Sequence, residues 1–159
     1  MRILDQRQID YTVREFPDSI HSADGVADYF DLPPEMVYKT LVVLPGAGKP
    51  FGKTQEKPLL VMVAGSRELS LKKLAKAVGQ KKVQMAPHKE AERLTGLQTG
   101  GISALALLRK NFPVYLDRPA LELDRILVSA GKRGVNLELA VQDLIQLTKA
   151  KVIEATGEK

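Results

Sequence analysis

The sequence YKTLVVL at residues 38–44 is followed, after a polar and glycine-rich connection at residues 45–58, by LLVMVA at residues 59–64. Both segments predict β-strands, because β-branched and large apolar residues dominate them. The first segment has apolar residues on both of its faces, which is typical of a strand in the interior of a sheet. These two strands therefore define the centre of the predicted fold.

Further helices and strands surround this centre. Alternation predicts a strand at residues 10–16, and short apolar runs predict others at residues 82–85, 113–116, 125–129 and 135–139. Ser22 and Ser70 are predicted N-caps, of helices that end at Phe30 and just before Gly79, and further helices are predicted at residues 87–95 and 141–147. The irregular alternation favours an α+β fold with one mixed, mostly antiparallel sheet or partial barrel surrounded by helices. A length of 159 residues predicts one domain over residues 1–159.

Composition excludes several classes of protein. The chain has no Cys and only two histidines, His21 and His88, which excludes thiolate chemistry, disulfide scaffolds and sites built from several Cys or His ligands. The first residues build no apolar signal core, and the longest apolar run, residues 59–65, is far shorter than the about 18 residues that a membrane span needs. These features predict a cytoplasmic protein without a membrane partner.

Three motif-like stretches fail on their context. Residues 47–54 resemble a phosphate-binding P-loop, but a buried strand follows where the motif needs a helix, so a hairpin loop is favoured over a nucleotide site. Gly46 and Gly48 lack the third glycine of a dinucleotide fingerprint, because Phe51 stands in its place. No G-x-S-x-G elbow supports a serine hydrolase, and His88 is predicted to be a surface residue at a helix start.

Four features remain as candidates for chemistry. Lys39 shares a strand face with apolar residues, so it is either a snorkelling lysine or a positive charge in a pocket. Gly100 and Gly101, followed by Ser103, could bring backbone amides close to a ligand, or could form an ordinary turn. The turn at residues 129–134 brackets a Lys-Arg pair with glycines and could bind a phosphate or be solvated.

The fourth feature is a group of five lysines on and after the predicted helix that begins beyond Ser70. With a net charge of +5, from 24 Lys and Arg against 19 Asp and Glu, such a group permits binding to a phosphate backbone. It could equally be a solvated helix face.

Together and in order, these segments resemble one family. They are VYKTLVV at residues 37–43, LKKLAKAVGQKKVQM at 71–85, ERLTG at 92–96, GGIS at 100–103, LEL at 121–123 and VSAGKRG at 128–134. The set resembles the bacterial Cys-tRNA(Pro) deacylase and prolyl-tRNA synthetase editing-domain family, from about residue 9 to residue 153. The resemblance implies an α+β fold and hydrolysis, in trans, of wrongly charged aminoacyl-tRNA, with the acceptor end of tRNA as partner and prolyl-tRNA synthetase as a possible second one.

The resemblance also implies roles for particular residues. Lys39 matches the family's key active-site lysine, with Thr40 beside it, and the glycine pair would offer backbone amides near the scissile ester. Pocket or terminal-adenosine contacts are implied for the following residues: Phe16, Ser103, Ser129, Gly131, Lys132, Arg133, Gly134 and Asn136. The resemblance implies no metal and no cofactor, in agreement with the absent Cys and scarce His. No side-chain base is implied either, because a ribose hydroxyl or the thiol of a cysteinyl substrate would assist the reaction.

The chain departs from the family pattern after Ser103, where residues 104–108 read ALALL instead of a proline- and glycine-containing loop. We expect this change to stiffen the loop that closes on the amino acid. In the family, the turn at residues 131–134 is often followed two residues later by an acidic or polar side chain, and Asn136 stands there instead. The alternative function is therefore a non-catalytic module with the same fold that binds tRNA or a synthetase.

Overall fold

The computed structural model describes residues 2–20, 22–46 and 57–157. Its α-helices are α1 (Arg2–Gln6), α2 (Ala23–Phe30), α3 (Leu71–Val78), α4 (His88–Thr95) and α5 (Val141–Thr148). Its strands are β1 (Tyr11–Glu15), β2 (Tyr38–Pro45), β3 (Leu59–Ala64), β4 (Glu68–Leu69), β5 (Val83–Met85), β6 (Val114–Asp117), β7 (Arg125–Ser129), β8 (Val135–Ala140), β9 (Lys151–Ile153) and β10 (Thr156–Gly157). Three short 3₁₀ helices cover Pro34–Met36, Leu105–Lys110 and Arg118–Glu122. The P-loop-like residues 47–54 lie outside the described residues.

The strands form an α+β fold with mixed, mostly antiparallel pairing, which confirms the predicted class. A five-stranded sheet has the order β5-β2-β3-β6-β9, in which the β3–β6 and β6–β9 pairs are parallel. A three-stranded antiparallel sheet has the order β1-β8-β7, and β10 pairs with β4. The prediction of one sheet is corrected here, because within the described residues only an isolated bridge between Val37 and Leu127 links the two larger sheets.

The two segments at the centre of the prediction pair as an antiparallel hairpin. Val42 lies opposite Leu60, and Lys39 opposite Val63. Strand β5 pairs with the other edge of β2, which therefore lies inside the sheet as expected. Every residue of β3 is buried.

Apolar side chains cover both faces of the five-stranded sheet. On one face, Val42 and Met62 belong to a large cluster that also contains Ile126 and Leu139 of the three-stranded sheet. On the other face, Val43 packs in a cluster with side chains of α3. A third cluster joins α2 to the sheet junction through Val26, Ala27, Val37 and Leu127. The start of β2 is therefore held between α2 and the two sheets.

Helix boundaries follow the local capping signals. The Ser70 side chain accepts a hydrogen bond from the Lys73 backbone N–H, and Gly79 ends α3 with a φ of 76°. The Ser22 side chain accepts a hydrogen bond from the Gly25 N–H and begins α2. Both predicted helices are confirmed, because each cap satisfies backbone groups that the helix end leaves free.

Candidate active site

A cavity of about 270 Å³ lies where the start of β2 meets α2, the start of α4 and the β7–β8 turn. Most of its wall is apolar, with polar groups at a few positions. The lining residues are Phe16, Ile20, Ser22, Ala23, Val26, Val37, Tyr38, Lys39, Thr40, Leu41, Val42, Met85, Ala86, His88, Ala91, Thr99, Gly100, Ile102, Ser129, Arg133, Gly134 and Asn136.

The cavity brings together eight of the twelve residues singled out in the sequence. These eight are Phe16, Lys39, Thr40, Gly100, Ser129, Arg133, Gly134 and Asn136. They come from four separate segments of the chain, which meet only in the folded protein. The other four, Gly101, Ser103, Gly131 and Lys132, lie within two positions of lining residues in the sequence but do not line the cavity.

Lys39 lies at the solvent-facing start of β2 and also lines the cavity. Alternation along the strand puts it on the face of Leu41 and Val43, which pack in the cluster under α3. Lys39 is exposed, and within the described residues it forms no hydrogen bond or salt bridge. Both alternatives for Lys39 therefore apply, because it lies at the solvent-exposed end of the strand and this end borders the cavity.

The loop with the two glycines packs directly against the β7–β8 turn. A Cβ atom on Gly101 would lie 2.9 Å from the backbone N of Arg133 and from the backbone C and Cα of Lys132. The guanidinium of Arg133 in turn donates a hydrogen bond from Nε to the Thr99 carbonyl oxygen, at 2.7 Å. The two motifs that the sequence separates by some 30 residues therefore form one unit beside the cavity.

The two glycines differ in how their backbones are used. The Gly101 N–H donates to the carbonyl oxygen of Gln98 at 2.8 Å, so this amide closes a turn. Gly100 has a φ of +92°, a conformation that side chains disfavour. Its N–H has no partner among residues 2–20, 22–46 and 57–157, and Gly100 lines the cavity. Of the pair, Gly100 presents the amide that a ligand can use.

Residues 104–108 do not line the cavity. They lead into the 3₁₀ helix Leu105–Lys110, and Leu105 and Leu107 are buried in the large core cluster. Ser103 is 1% exposed, and its Oγ accepts a hydrogen bond from the Ala106 N–H. This segment therefore packs into the protein, and the expected stiffening of the loop stays a prediction.

Glu92 fixes the other end of the glycine loop. Its Oε2 accepts a hydrogen bond from the Thr99 N–H at 2.8 Å, one residue before Gly100. This backbone hydrogen bond is the largest cause of a lowered pKa for the Glu92 carboxyl. The sequence showed Glu92 only as part of the ERLTG segment, without a role.

The far wall of the cavity belongs to the three-stranded sheet and the residues beside it. Asn136 is 7% exposed and lies opposite Ser129 across the β7–β8 pair. The Phe16 N–H donates to the carbonyl oxygen of Gly134, and the Phe16 ring packs edge-on against Phe30 at 6.1 Å. A Cβ on Gly134 would lie 2.9 Å from the Phe16 oxygen, so glycine is required for this approach.

Several lining residues had no signal in the sequence. Met85 ends β5 and Ala86 follows it, and His88 begins α4, where it is exposed as predicted and yet borders the cavity. Val26 of α2 was identifiable only as an apolar residue of a capped helix. Nothing local marks such residues, because only the tertiary fold brings α2 and α4 to the same opening.

In the part of the chain that the structure describes, no three His, Asp or Glu side chains are grouped to hold a metal ion. Within the same residues, no helix is both long enough and apolar enough to cross a membrane.

The α+β fold thus carries a small cavity bordered by a lysine, a glycine whose amide has no partner within the described residues, and a basic glycine turn. The family model described as "Aminoacyl-tRNA editing domain" matches residues 17–147, and the chain belongs to this family.

Two relatives in sequence have different lengths. A candidate Cys-tRNA(Pro)/Cys-tRNA(Cys) deacylase of Enterococcus faecalis, EbsC, is 39% identical over 158 residues, which cover 98% of this chain and 91% of that protein. A proline–tRNA ligase of Sulfurihydrogenibium is 32% identical over 118 residues, or 74% of this chain, but the match spans only 18% of the ligase.

One solved structure shows the same fold. It carries the description of a candidate trans-editing enzyme for prolyl-tRNA synthetase, and it superposes with a TM-score of 0.79 at 24% identity, over 97% of this chain and 92% of that one.

Proposed function

We propose that this chain is a trans-editing hydrolase that deacylates mischarged aminoacyl-tRNA, with Cys-tRNA(Pro) or a tRNA carrying another small amino acid as substrate. The observation that carries the proposal is the convergence of Lys39, the Gly100 amide and the Arg133–Gly134 turn on one cavity. Family membership and the 39% identity to the Enterococcus protein support it. The reaction would take place in the cytoplasm, where aminoacyl-tRNA is used.

The reaction is hydrolysis of the ester between the amino acid and the terminal ribose. The oxygen of a water molecule bonds to the carbonyl carbon, the bond from that carbon to the ribose oxygen breaks, and a proton returns to the ribose. Negative charge develops on the carbonyl oxygen on the way. A positive charge at Lys39 and the N–H of Gly100 are suited to stabilise that oxygen, because they are in place before the charge forms.

His88, exposed at the start of α4, is the one His, Asp or Glu among the described lining residues of the cavity. We assign activation of the attacking group to the substrate itself, through a hydroxyl of the terminal ribose or, for a cysteinyl ester, through its own thiol. Lys39, Thr40 and the Gly100 amide then act by positioning the ester and stabilising charge.

The cavity has room for an aminoacyl group. At about 270 Å³ it is slightly smaller than the about 300–1,000 Å³ of typical small-molecule sites. The aminoacyl group fits inside, while the terminal adenosine would contact the rim at Phe16, Ser129 and Arg133. Asn136 would offer its side-chain amide to the substrate from the buried wall.

The predicted residues that do not line the cavity would support it. Gly101 and Gly131 allow the loop and the turn to approach closely, and Ser103 holds the start of the 3₁₀ helix. Lys132, which is exposed on the turn, is assigned to tRNA phosphates outside the cavity.

Prolyl-tRNA synthetase is the proposed partner in addition to tRNA. The similarity to segments of proline–tRNA ligases supports this, because it places a related domain within a synthetase. Co-purification of the chain with the synthetase, with and without tRNA, tests the association.

The test of the activity is a deacylation panel. Wild-type protein, Lys39→Ala and the matched control Lys110→Ala are each incubated with Cys-tRNA(Pro), Ala-tRNA(Pro) and Pro-tRNA(Pro). Both lysines are exposed, and Lys110 does not line the cavity. We expect wild type and Lys110→Ala to hydrolyse one mischarged species and spare Pro-tRNA(Pro), and Lys39→Ala to lose activity while its melting temperature is unchanged.

Full activity in Lys39→Ala would refute the mechanism. Binding of tRNA without multiple turnover of any mischarged species would instead identify the chain as the non-catalytic module.

A further inference from the structure

The chain's positive charge is concentrated in one segment. Residues 70–85 contain five lysines, Lys72, Lys73, Lys76, Lys81 and Lys82, and no Asp or Glu. This number equals the formal net charge of the whole chain, +5, so that the remaining residues are formally neutral together. All five side chains are exposed. We call these five lysines the lysine face.

The arrangement is unfavourable for the helix that carries it. Lys72 and Lys76 are four residues apart, and Lys73 and Lys76 three, so like charges adjoin on the side of α3 opposite Leu74 and Ala75. The first turn of α3 holds no acidic residue, whereas each of the other four described α-helices has one there. Positive charge near a helix N-terminus opposes the helix dipole, as at Lys72 and Lys73, whereas Lys76 in the last turn is placed favourably. Helix stability therefore does not explain Lys72 and Lys73.

The lysine face is close to the cavity and on the same side of the central sheet as Lys39. Leu74 and Ala75 attach α3 to the face of β2 that carries Val43, and alternation puts Lys39 on that face. Lys82 is three positions before Met85, which lines the cavity and pairs with Val43. At about 3.3 Å per residue, Lys82 lies roughly 10 Å along the strand from the cavity rim.

We propose that the lysine face binds the phosphate backbone of the acceptor stem of the tRNA whose aminoacyl end occupies the cavity. This inference rests on the proposed function. A row of exposed ammonium groups, none of which forms a salt bridge within the described residues, is suited to phosphates, and it needs no base contacts. Lys73 also donates a hydrogen bond from Nζ to the Thr156 carbonyl oxygen at 3.2 Å, so the other four lysines are the ones to test.

The test compares two variants with the same change in net charge. Lys72→Gln/Lys76→Gln/Lys81→Gln/Lys82→Gln removes four charges from the lysine face. Arg7→Gln/Arg109→Gln/Lys110→Gln/Lys151→Gln removes four exposed charges elsewhere and is the control. Steady-state deacylation is measured from low to high salt on Cys-tRNA(Pro) and on a cysteinylated CCA trinucleotide, which lacks the stem. Binding of uncharged tRNA is measured in parallel.

We expect the lysine-face variant to raise KM for Cys-tRNA(Pro) by about tenfold or more at low salt, with kcat unchanged. The slope of log KM against log salt should become shallower by about 3 to 4, about one for each lost phosphate contact. The control variant should change KM less, and the trinucleotide should be hydrolysed equally by all three proteins.

Two results would overturn the inference while leaving the proposed function intact. One is that the lysine-face variant and the control variant have the same KM for Cys-tRNA(Pro). The other is an equal rise in KM on the trinucleotide, which would put the lysines at the aminoacyl end. If wild type hydrolyses neither substrate, the proposed function fails, but the binding of uncharged tRNA still tests the inference about the lysine face. Weaker, less salt-dependent binding by the lysine-face variant than by the control supports the inference, and equal binding refutes it.

Discussion

Substituting alanine for Gly101 tests whether the glycine loop and the β7–β8 turn act as one unit. The new Cβ would lie 2.9 Å from three backbone atoms of Lys132 and Arg133. Carbon atoms in good contact are about 3.5–4.0 Å apart, so the loop or the turn must move by roughly 0.6–1 Å. All three atoms belong to the backbone, and no side-chain rotation can relieve the contact.

Both stability and activity should decrease. Overpacking of this kind costs about 1–3 kcal/mol, and a domain of this size loses about 2–4 °C in Tm for each kcal/mol, so we expect Tm to fall by about 2–12 °C. The displaced turn carries Arg133 and Gly134, which line the cavity, and Arg133 is bonded to the Thr99 carbonyl oxygen. Since misplacement by about 1 Å can cost about a hundredfold in rate, we expect kcat/KM to fall by roughly ten- to a hundredfold.

Gly157→Ala is the matched control. A Cβ there meets nothing within 4 Å, and no positive φ is required. Its free energy of unfolding should stay within about 0.5 kcal/mol of wild type. Calorimetry gives Tm for the three proteins, and the deacylation assay gives kcat/KM. A Gly101→Ala protein that melts and reacts like the control would refute the idea that this contact positions the turn.

Two further predictions concern single side chains. His88→Ala should retain most of its kcat, because no side-chain base is required; a loss of about 10²-fold or more, the usual contribution of a general base, would make His88 that base. Glu138 accepts hydrogen bonds from Arg14 and Arg125, and although burial raises its pKa, these guanidinium groups bring it below its ordinary value of 4.5. A lowered pKa in the folded state adds stability above the unfolded pKa that is lost as pH falls through the folded pKa. The free energy of unfolding of wild type, measured by denaturation, should therefore exceed that of Glu138→Gln by about 1 kcal/mol at pH 7, and this difference should disappear in acid. A difference independent of pH would contradict this.

Local signals predicted the elements whose ends are decided locally. The limits of α3 follow from Ser70 and Gly79, since caps act on backbone groups within one turn. The bounds of β3 coincide with the predicted residues 59–64, because its apolar run ends where polar residues begin. Strand β9 was not predicted: it has three residues, none fully buried, and only its parallel pairing with β6 makes it a strand.

Pairing across the chain could not be predicted from such signals. The parallel contact between β3 and β6 joins residues more than 50 positions apart, and no local pattern specifies it. The division into two larger sheets depends on the same kind of contact, because the Val37–Leu127 bridge alone continues the ladder between them. The lining residues from α2 and α4 escaped prediction for this reason too.

The glycine pair shows most clearly what a motif leaves undecided. The sequence assigned the same role to both residues, namely to offer an amide to the substrate. In the structure the Gly101 amide is bonded to Gln98, and its missing side chain makes room for the backbone of the turn. Gly100 adopts a positive φ and leaves its amide free beside the cavity. The absence of a Cβ thus allows the backbone of the turn to approach closely at Gly101, whereas at Gly100 it allows a positive φ. Only the backbone contacts of each glycine distinguish these two roles.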